Sequence, residues 1–254
     1  MDLRTEFAMK SRIQSALNSL DIQPLFSQDF IKSFQSLGMD ERDAEAKLIY
    51  IIGHFITMNR LVIAEQRIFD ALSNTSISMH EHIPLTVKIN QALQGRAQKI
   101  FDQVAPHLKN MTGPVIDFGC GDGQVTQLLR DRVQLAIVGV DVRDYRAHSV
   151  TVPIDLFLGD RTSYKDGFFE AALATNVLHH EENNEKCLQE LSRIARKKLV
   201  IIETVPIGDT PEAIERDRER TFMNDYLYNR LLHDPRFDVP VPGTYETPEG
   251  WIHR

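Results

Sequence analysis

The sequence predicts an α/β fold: a doubly wound, mostly parallel sheet behind an all-α N-terminal extension. Three observations predict it. Residues 1–110 follow the helical period and show no strand-like alternation. After Thr112-Gly113-Pro114 short apolar runs begin to alternate with helical ones, the signature of a parallel sheet covered on both faces. The charge changes at the same place: residues 1–110 carry 12 basic and 12 acidic side chains, residues 111–254 carry 17 and 24. Two regions follow, a helical one at 1–110 and a sheet-bearing one at 111–254.

In the first region a short helix runs from Ser27 or Asp29 to Leu37 and ends at Gly38. Asp40 caps a long helical pattern, Ala44, Leu48, Ile51, Ile52, Phe55, Ile56, Leu61, Val62, Ile68, Phe69 and Leu72, spaced mostly by three and four. Ser73-Asn74-Thr75-Ser76 closes it as a polar loop. A further helix is expected from Leu85 to Leu108. In the second region strands are expected at Val115–Phe118, Ala136–Val140, Ile154–Leu158, Phe168–Thr175 and Leu199–Glu203. Helices are expected at Gly123–Arg132 and Asn183–Ala195, with right-handed crossovers. A densely charged helix is expected at Thr210–His233, with Thr210 as cap and Pro211 in its first turn.

Several function classes are disfavoured. Of 254 residues 42% are hydrophobic and 26% charged, enough for a packed core. The longest apolar run, Leu48–Ile56, is too short to cross a bilayer, so no membrane partner is expected. The net charge of −7 argues against a nucleic-acid backbone. The basic cluster Arg193-Arg196-Lys197-Lys198 reads as a helix C-terminus. Cys120 and Cys187 form neither a metal-ligand spacing nor a disulfide framework, which fits reduced thiols in a cytoplasmic protein.

The most informative segment is Val115-Ile116-Asp117-Phe118-Gly119-Cys120-Gly121-Asp122-Gly123. A strand enters a glycine-rich turn and then a helix, the arrangement that binds ligands at the carboxyl end of a parallel sheet. A dinucleotide fold wants G-x-G-x-x-G, with the helix N-terminus receiving a pyrophosphate. Here Gln124 stands in the third glycine's place, and the Asp117 carboxylate would repel a pyrophosphate. The same carboxylate suits a cationic or zwitterionic ligand. Asp141 ends the second strand, where a carboxylate can accept both hydroxyls of a ribose.

The pattern D-x-G-x-G-x-G resembles the first motif of the class I S-adenosylmethionine-dependent methyltransferases. Val138-Gly139-Val140-Asp141-Val142, Leu156-Phe157-Leu158-Gly159-Asp160-Arg161 and Phe168-Phe169-Glu170-Ala171 through Asn176-Val177-Leu178-His179-His180 resemble the motifs that follow it. The resemblance covers roughly residues 96–205 and departs at Glu170, where Asp is usual, and at Ala172, where a larger aliphatic is common. It implies a Rossmann-like sheet of order 3-2-1-4-5, with S-adenosylmethionine as cofactor and S-adenosylhomocysteine as its product. It also implies a cofactor site built from Asp117, Gly119, Cys120, Gly121, Asp141, Val142, Asp160, Arg161 and Asn176, with Asp160 accepting from the adenine amino group.

Methyl transfer from a sulfonium needs alignment and exclusion of water, and a base only where the acceptor must lose a proton. His179 and His180, after the fourth strand, are the candidate bases; no third ligand is obvious beside them, so no metal is expected. Glu203 either faces the substrate or neutralises an arginine. On the helix after the fifth strand, Asp225, Tyr226 and Asn229 fall on one face and are candidate substrate contacts. The expected activity is methylation of O, N or C of a small molecule. RNA or protein methylation, nicotinamide-dependent oxidoreduction and a non-catalytic cofactor-binding role are the alternatives. The expected partner is a second copy, through the N-terminal helices or an open sheet edge. Seven strands are usual in this family, and Asp234–Arg254, with four prolines, leaves no room for a final pair. The expectation is therefore a sheet that stops at its fifth strand, in a chain that ends early or has its edge covered.

Overall fold

A computed structural model describes residues 2–77, 83–157, 161–233 and 237–252. The chain divides into two compact units, Met1–Ala92 with Pro206–Val241, and Leu93–Val205 with Pro242–Arg254. The sequence reading placed one division, at residue 110. The segment after the fifth strand joins the N-terminal helices, and most of the helix before the first strand joins the sheet.

The first unit holds α1 (Leu3–Asn18), α2 (Ile22–Ser36), α3 (Glu41–Thr57), α4 (Leu61–Ser73), the start of α5 (Leu85–Leu108) and a later helix, Pro211–Tyr226. Phe26, Phe30 and Phe34 recur every fourth residue on α2, and all three are buried, with Phe30 and Phe34 stacked at 4.2 Å. That helix starts before the expected Ser27 or Asp29. Asp29 instead accepts from Arg220 at 2.5 and 3.0 Å and from Asn224 at 2.9 Å.

Asp40 caps α3 as expected, accepting from the Asp43 amide. The long helix expected from Asp40 to Leu72 is broken at Met58–Arg60. The first amide of α4, Leu61, donates to Glu6 Oε1 on α1 at 2.7 Å, and the Arg60 guanidinium grips the same carboxylate. An acid 55 residues away thus does the work of a local cap, and the Arg60 hydrogen bond holds the Glu6 carboxyl below its usual range.

The second unit is a five-stranded parallel sheet in the order β3-β2-β1-β4-β5. Its strands are β1 (Val115–Phe118), β2 (Ile137–Asp141), β3 (Ile154–Leu156), β4 (Phe169–Thr175) and β5 (Ala195–Ile202), with α6 (Gln124–Val133) and α7 (Asn184–Ile194) between them. The period-2 alternation of side chains divides the core between two faces. Ala171 and Leu173 of β4 pack with Val104, Leu108 and Leu129, whereas Ala172 and Ala174 pack with Leu188, Leu191 and Ile194. Ala172 is fully buried here, so the small residue at this position is part of the packing.

One sequence expectation changes. Arg196, Lys197 and Lys198 lie in β5, not at a helix C-terminus. Lys197 pairs with Glu170 and Lys198 donates to the His107 carbonyl, so the first half of the outermost strand carries charge, which discourages edge pairing there. Glu170 sits at an irregularity between β4 and β5 and accepts from the amides of Thr112 and Gly113. Lys197 and those amides pull its carboxyl down to about 2.

The five strands match the sheet expected to stop at β5. Among the described residues, the stretch after Pro242 forms only a short helix, Pro248–Ile252, with Trp251 packed on the Leu188–Ile194 side of the sheet. No described helix is long and apolar enough to cross a membrane.

Candidate cofactor and proton-transfer site

The site is built at the carboxyl ends of β1, β2, β4 and β5, all within the second unit. Asp117 is 1% exposed. Thr126, one turn into α6, donates to its Oδ2 at 2.6 Å, and its Oδ1 has no hydrogen-bond partner. Burial, helped by the charges of Asp141 and Asp122, pushes this carboxyl up to about 7, against the pull of Thr126. A buried acceptor without a partner is costly.

That loop depends on left-handed backbone at Gly119, Gly121 and Gly123 (φ +69°, +54°, +75°). At Gly119 a Cβ would lie 2.0 Å from Val177 Cγ2, so β4's exit packs directly on the loop. At Gly121 a Cβ would meet nothing within 4 Å, which leaves an open cradle lined by backbone. The Gly121 amide donates to Asp141 Oδ2 at 2.7 Å, and Val142 donates to Asp141 Oδ1 at 2.7 Å. Asp141 therefore holds the loop in register while retaining lone pairs for another donor; burial raises its carboxyl, partly offset by these amides. Gln124, in the third glycine's place, bonds back to Asp122 at 2.6 Å.

Cys120, expected at the cofactor, turns its side chain inward, where a Cβ on Gly139 would come within 2.7 Å of its sulfur. Burial pushes its thiol up, and only its backbone can serve the loop. The Arg161 side chain is largely exposed, 3.7 Å from Asp166, so its guanidinium is a surface cation. Asp160 lies outside the described residues. Asn176 adopts φ +50°, donates its amide to Ile202 and accepts from the Thr204 hydroxyl.

The turn after β4 carries the two histidines. Glu203, at the end of β5, accepts from the amides of Val177 and Leu178 through Oε1 at 2.9 and 2.7 Å, and meets His179 Nδ1 through Oε2 at 2.5 Å. Of its two expected roles, neutralising an arginine is replaced by holding this turn. The His179 ring is buried and stacks on Tyr245 at 5.1 Å, and Thr244 donates to the His179 and Glu181 carbonyls. His180 is half-buried beside it, ring centroids 4.3 Å apart. Sequence reasoning missed Thr126, Thr244 and Tyr245. Thr126 carries one signal, a polar side chain on the inward face of α6; the other two carry none.

The candidate substrate contacts lie in the first unit, where the charged helix (α8, Pro211–Tyr226) loosens into a π-turn at Leu227–Leu231. Tyr226 is corrected: it is 1% exposed, donates to the buried Glu65 and packs edge-on against Phe55. Glu65 also holds Arg230 at 2.8 and 3.0 Å. Tyr226 is thus a member of the helical core. Asn229 donates to Asp225 Oδ1 at 2.7 Å, a pair one turn apart.

Residues 116–202 match the model of a methyltransferase domain family. Over these residues the chain is similar to methyltransferase domains. The match covers roughly a third of the chain. Similar solved structures include a candidate methyltransferase from an antibiotic biosynthesis pathway of Anabaena variabilis, 17% identical with a TM-score of 0.40 over 52% of this chain and 60% of that one. The YcgJ protein of Bacillus subtilis is 16% identical with a TM-score of 0.45, over 60% and 64%. A SAM-dependent methyltransferase of Archaeoglobus fulgidus is 16% identical with a TM-score of 0.37, over 52% and 68%. The chain thus spans less than two thirds of the first two. No curated protein sequence matches it. Within residues 116–202, the partnerless Asp117 oxygen and the open space at Gly121 fit a ligand that combines an ammonium with a polar body.

Proposed function

We propose that the chain transfers a methyl group from S-adenosylmethionine to oxygen, nitrogen or carbon of a small molecule by direct in-line displacement. The observation that carries this reading is the buried Asp117 Oδ1, without a hydrogen-bond partner in the strand that leads into the glycine loop. A carboxylate so placed accepts from the ligand's ammonium, a charge-assisted bond. Asp141 accepts from the ribose hydroxyls, while the backbone of Gly119 to Gly121 lies against the methionyl part. Val142 and Asn176 border the site, and Asp160 is assigned to the adenine amino group on the resemblance alone. The bound cofactor supplies an already activated methyl group. The protein's part is to align the acceptor, exclude water and, for an acceptor bearing a proton, take it with His179 or His180.

The excess of acidic side chains favours a small molecule over a nucleic-acid acceptor. A cytoplasmic location and pairing with a second copy belong to the same reading; Leu3, Phe7 and Ile49 stay exposed on α1 and α3 and support the pairing. Calorimetric titration with S-adenosylhomocysteine tests the reading. Binding to the wild-type chain and its weakening in Asp117→Asn are expected, and no heat at millimolar ligand overturns it.

A further inference from the structure

The Leu48–Ile56 run of α3 is apolar on nearly every side, and the fold buries one of its faces. Ala44, Leu48, Ile51 and Phe55 are buried, at spacings of four, three and four. The same spacings one residue later give Glu45, Ile49, Ile52 and Ile56. Of these Ile49 is 71% exposed and Ile56 55%, while Ile52 is half-buried. Beside them run Ala46, which is exposed, and Gly53, where a Cβ would meet nothing within 4 Å. Helices interlock along ridges at the i, i+4 spacing. The ridge Glu45–Ile49–Gly53–Thr57 therefore has a notch at Gly53, one turn after a protruding isoleucine. Two charges bracket the stripe. Glu45 is exposed at one end, and Lys10 of α1 donates to the Asn59 carbonyl beyond the other, at 3.2 Å. Among the described residues neither has a partner of opposite charge.

We infer that this face of α3 is an isologous interface, on which a second copy of the chain lies antiparallel. A two-fold axis beside Ile51 sets Ile49 opposite the partner's Gly53, and Ile56 opposite the partner's Ala46. A large side chain thus meets a small one at each place, and by symmetry twice. The same axis brings Glu45 to the end of the partner's α3, where the partner's Lys10 stands. Parallel pairing would instead set Glu45 against Glu45 and align two helix dipoles, which repel. A stable interface takes about 800 Å² from each partner, more than one helix stripe supplies. α1 adds to it: Phe7, 73% exposed, shares a face with Lys10 and Gln14, which bond the Asn59 and Phe55 carbonyls at the end of α3. This assignment rests on the second-copy reading above and is independent of methyl transfer.

Sedimentation equilibrium of the full chain, from low to high micromolar concentration, reads the association. The wild type is expected at twice the chain mass. Gly53→Leu separates a fitted interface from an unspecific apolar surface. It adds apolar area into open space and favours the helix, so unspecific association would strengthen. A filled notch instead expels the partner's Ile49 and raises the dimer Kd by about thirtyfold or more, the scale of an interface hot spot. Should Gly53→Leu not fold, Ile49→Lys replaces it, with the same loss expected. Glu45→Lys and Lys10→Glu each weaken the dimer, and the chain carrying both regains it. Thermal unfolding of the monomeric variants, followed by circular dichroism, shows that each is folded. A monomeric wild type, an open-ended series of oligomers, a dimer that survives both Gly53→Leu and Ile49→Lys, or no recovery in the double exchange overturns the inference. The dimer that survives both variants leaves the second-copy reading standing and puts the contact elsewhere, whereas a monomeric wild type removes both. Titration of the same samples with S-adenosylhomocysteine reads the methyltransferase proposal separately.

Discussion

Thr126 Oγ1 and Asp117 Oδ2 lie 2.6 Å apart, and among the described residues this hydrogen bond is the one side-chain support given to a buried carboxyl that is pushed up to about 7. An ammonium ligand needs the ionised form, so below pH about 7 its binding must expel a proton. Affinity for S-adenosylhomocysteine is expected to rise with pH, by roughly tenfold per unit well below 7, and to level off above it. Thr126→Val moves the break to higher pH. The folding linkage has the opposite sign: this raised acid favours the empty fold below its unfolded value near 4, and that contribution is lost as pH rises through about 7. Calorimetry across a pH series checks the binding curve.

Asp141 holds the amides of Gly121 and Val142, and the proposed function gives it a second job, accepting from the ribose. Asp141→Ala is expected to weaken S-adenosylhomocysteine by ~1.5–3 kcal/mol, the scale of a hydrogen bond to a charged group. Unchanged affinity would remove the residue from the site.

Gly119 and Gly121 separate two reasons for glycine. Gly121→Ala meets open space and bears only left-handed strain, about 1–2 kcal/mol. Gly119→Ala bears that strain and a collision with Val177, and is expected to cost clearly more stability. Chemical denaturation of both variants ranks them.

Glu170, pulled down to about 2, stabilises the fold above its unfolded value near 4.5, and the contribution disappears as pH falls toward 2. Glu170→Gln is expected to be less stable than wild type at neutral pH and to converge on it in acid. Melting curves at several pH values would show the convergence.

In the helical unit, Glu65→Ala leaves the Arg230 guanidinium, itself 6% exposed, with Asp238 and the Val239 carbonyl as its remaining partners, and is expected to cost ~1–3 kcal/mol. Tyr226→Phe removes the hydroxyl's bond to Glu65 and is expected to cost ~1–3 kcal/mol. Equilibrium unfolding measures both. A Tyr226→Phe chain of full stability would reopen the substrate role that burial denies this side chain.

The sheet was legible because its signals are local. Apolar runs of four to eight residues mark strands, and left-handed turns admit glycine, so β1, the glycine loop and the acids ending β1 and β2 could be read in order. Helix limits were legible only where the cap is local. Asp40 lies three residues from the amide it caps, whereas the start of α4 depends on Glu6, 55 positions away.

By itself, then, the sequence determined the class of fold, the strand order through its resemblance, and the carboxylates near the ends of β1 and β2, because each depends on neighbours within a few residues. Tertiary structure alone decided what those side chains face. It left one oxygen of Asp117 without a partner, sent Cys120 toward Gly139, buried Tyr226 against Glu65, and joined His179 to a glutamate 24 residues later. Hydrogen bonds between distant positions leave no periodic trace in a chain, since only the folded backbone brings donor and acceptor within 3 Å.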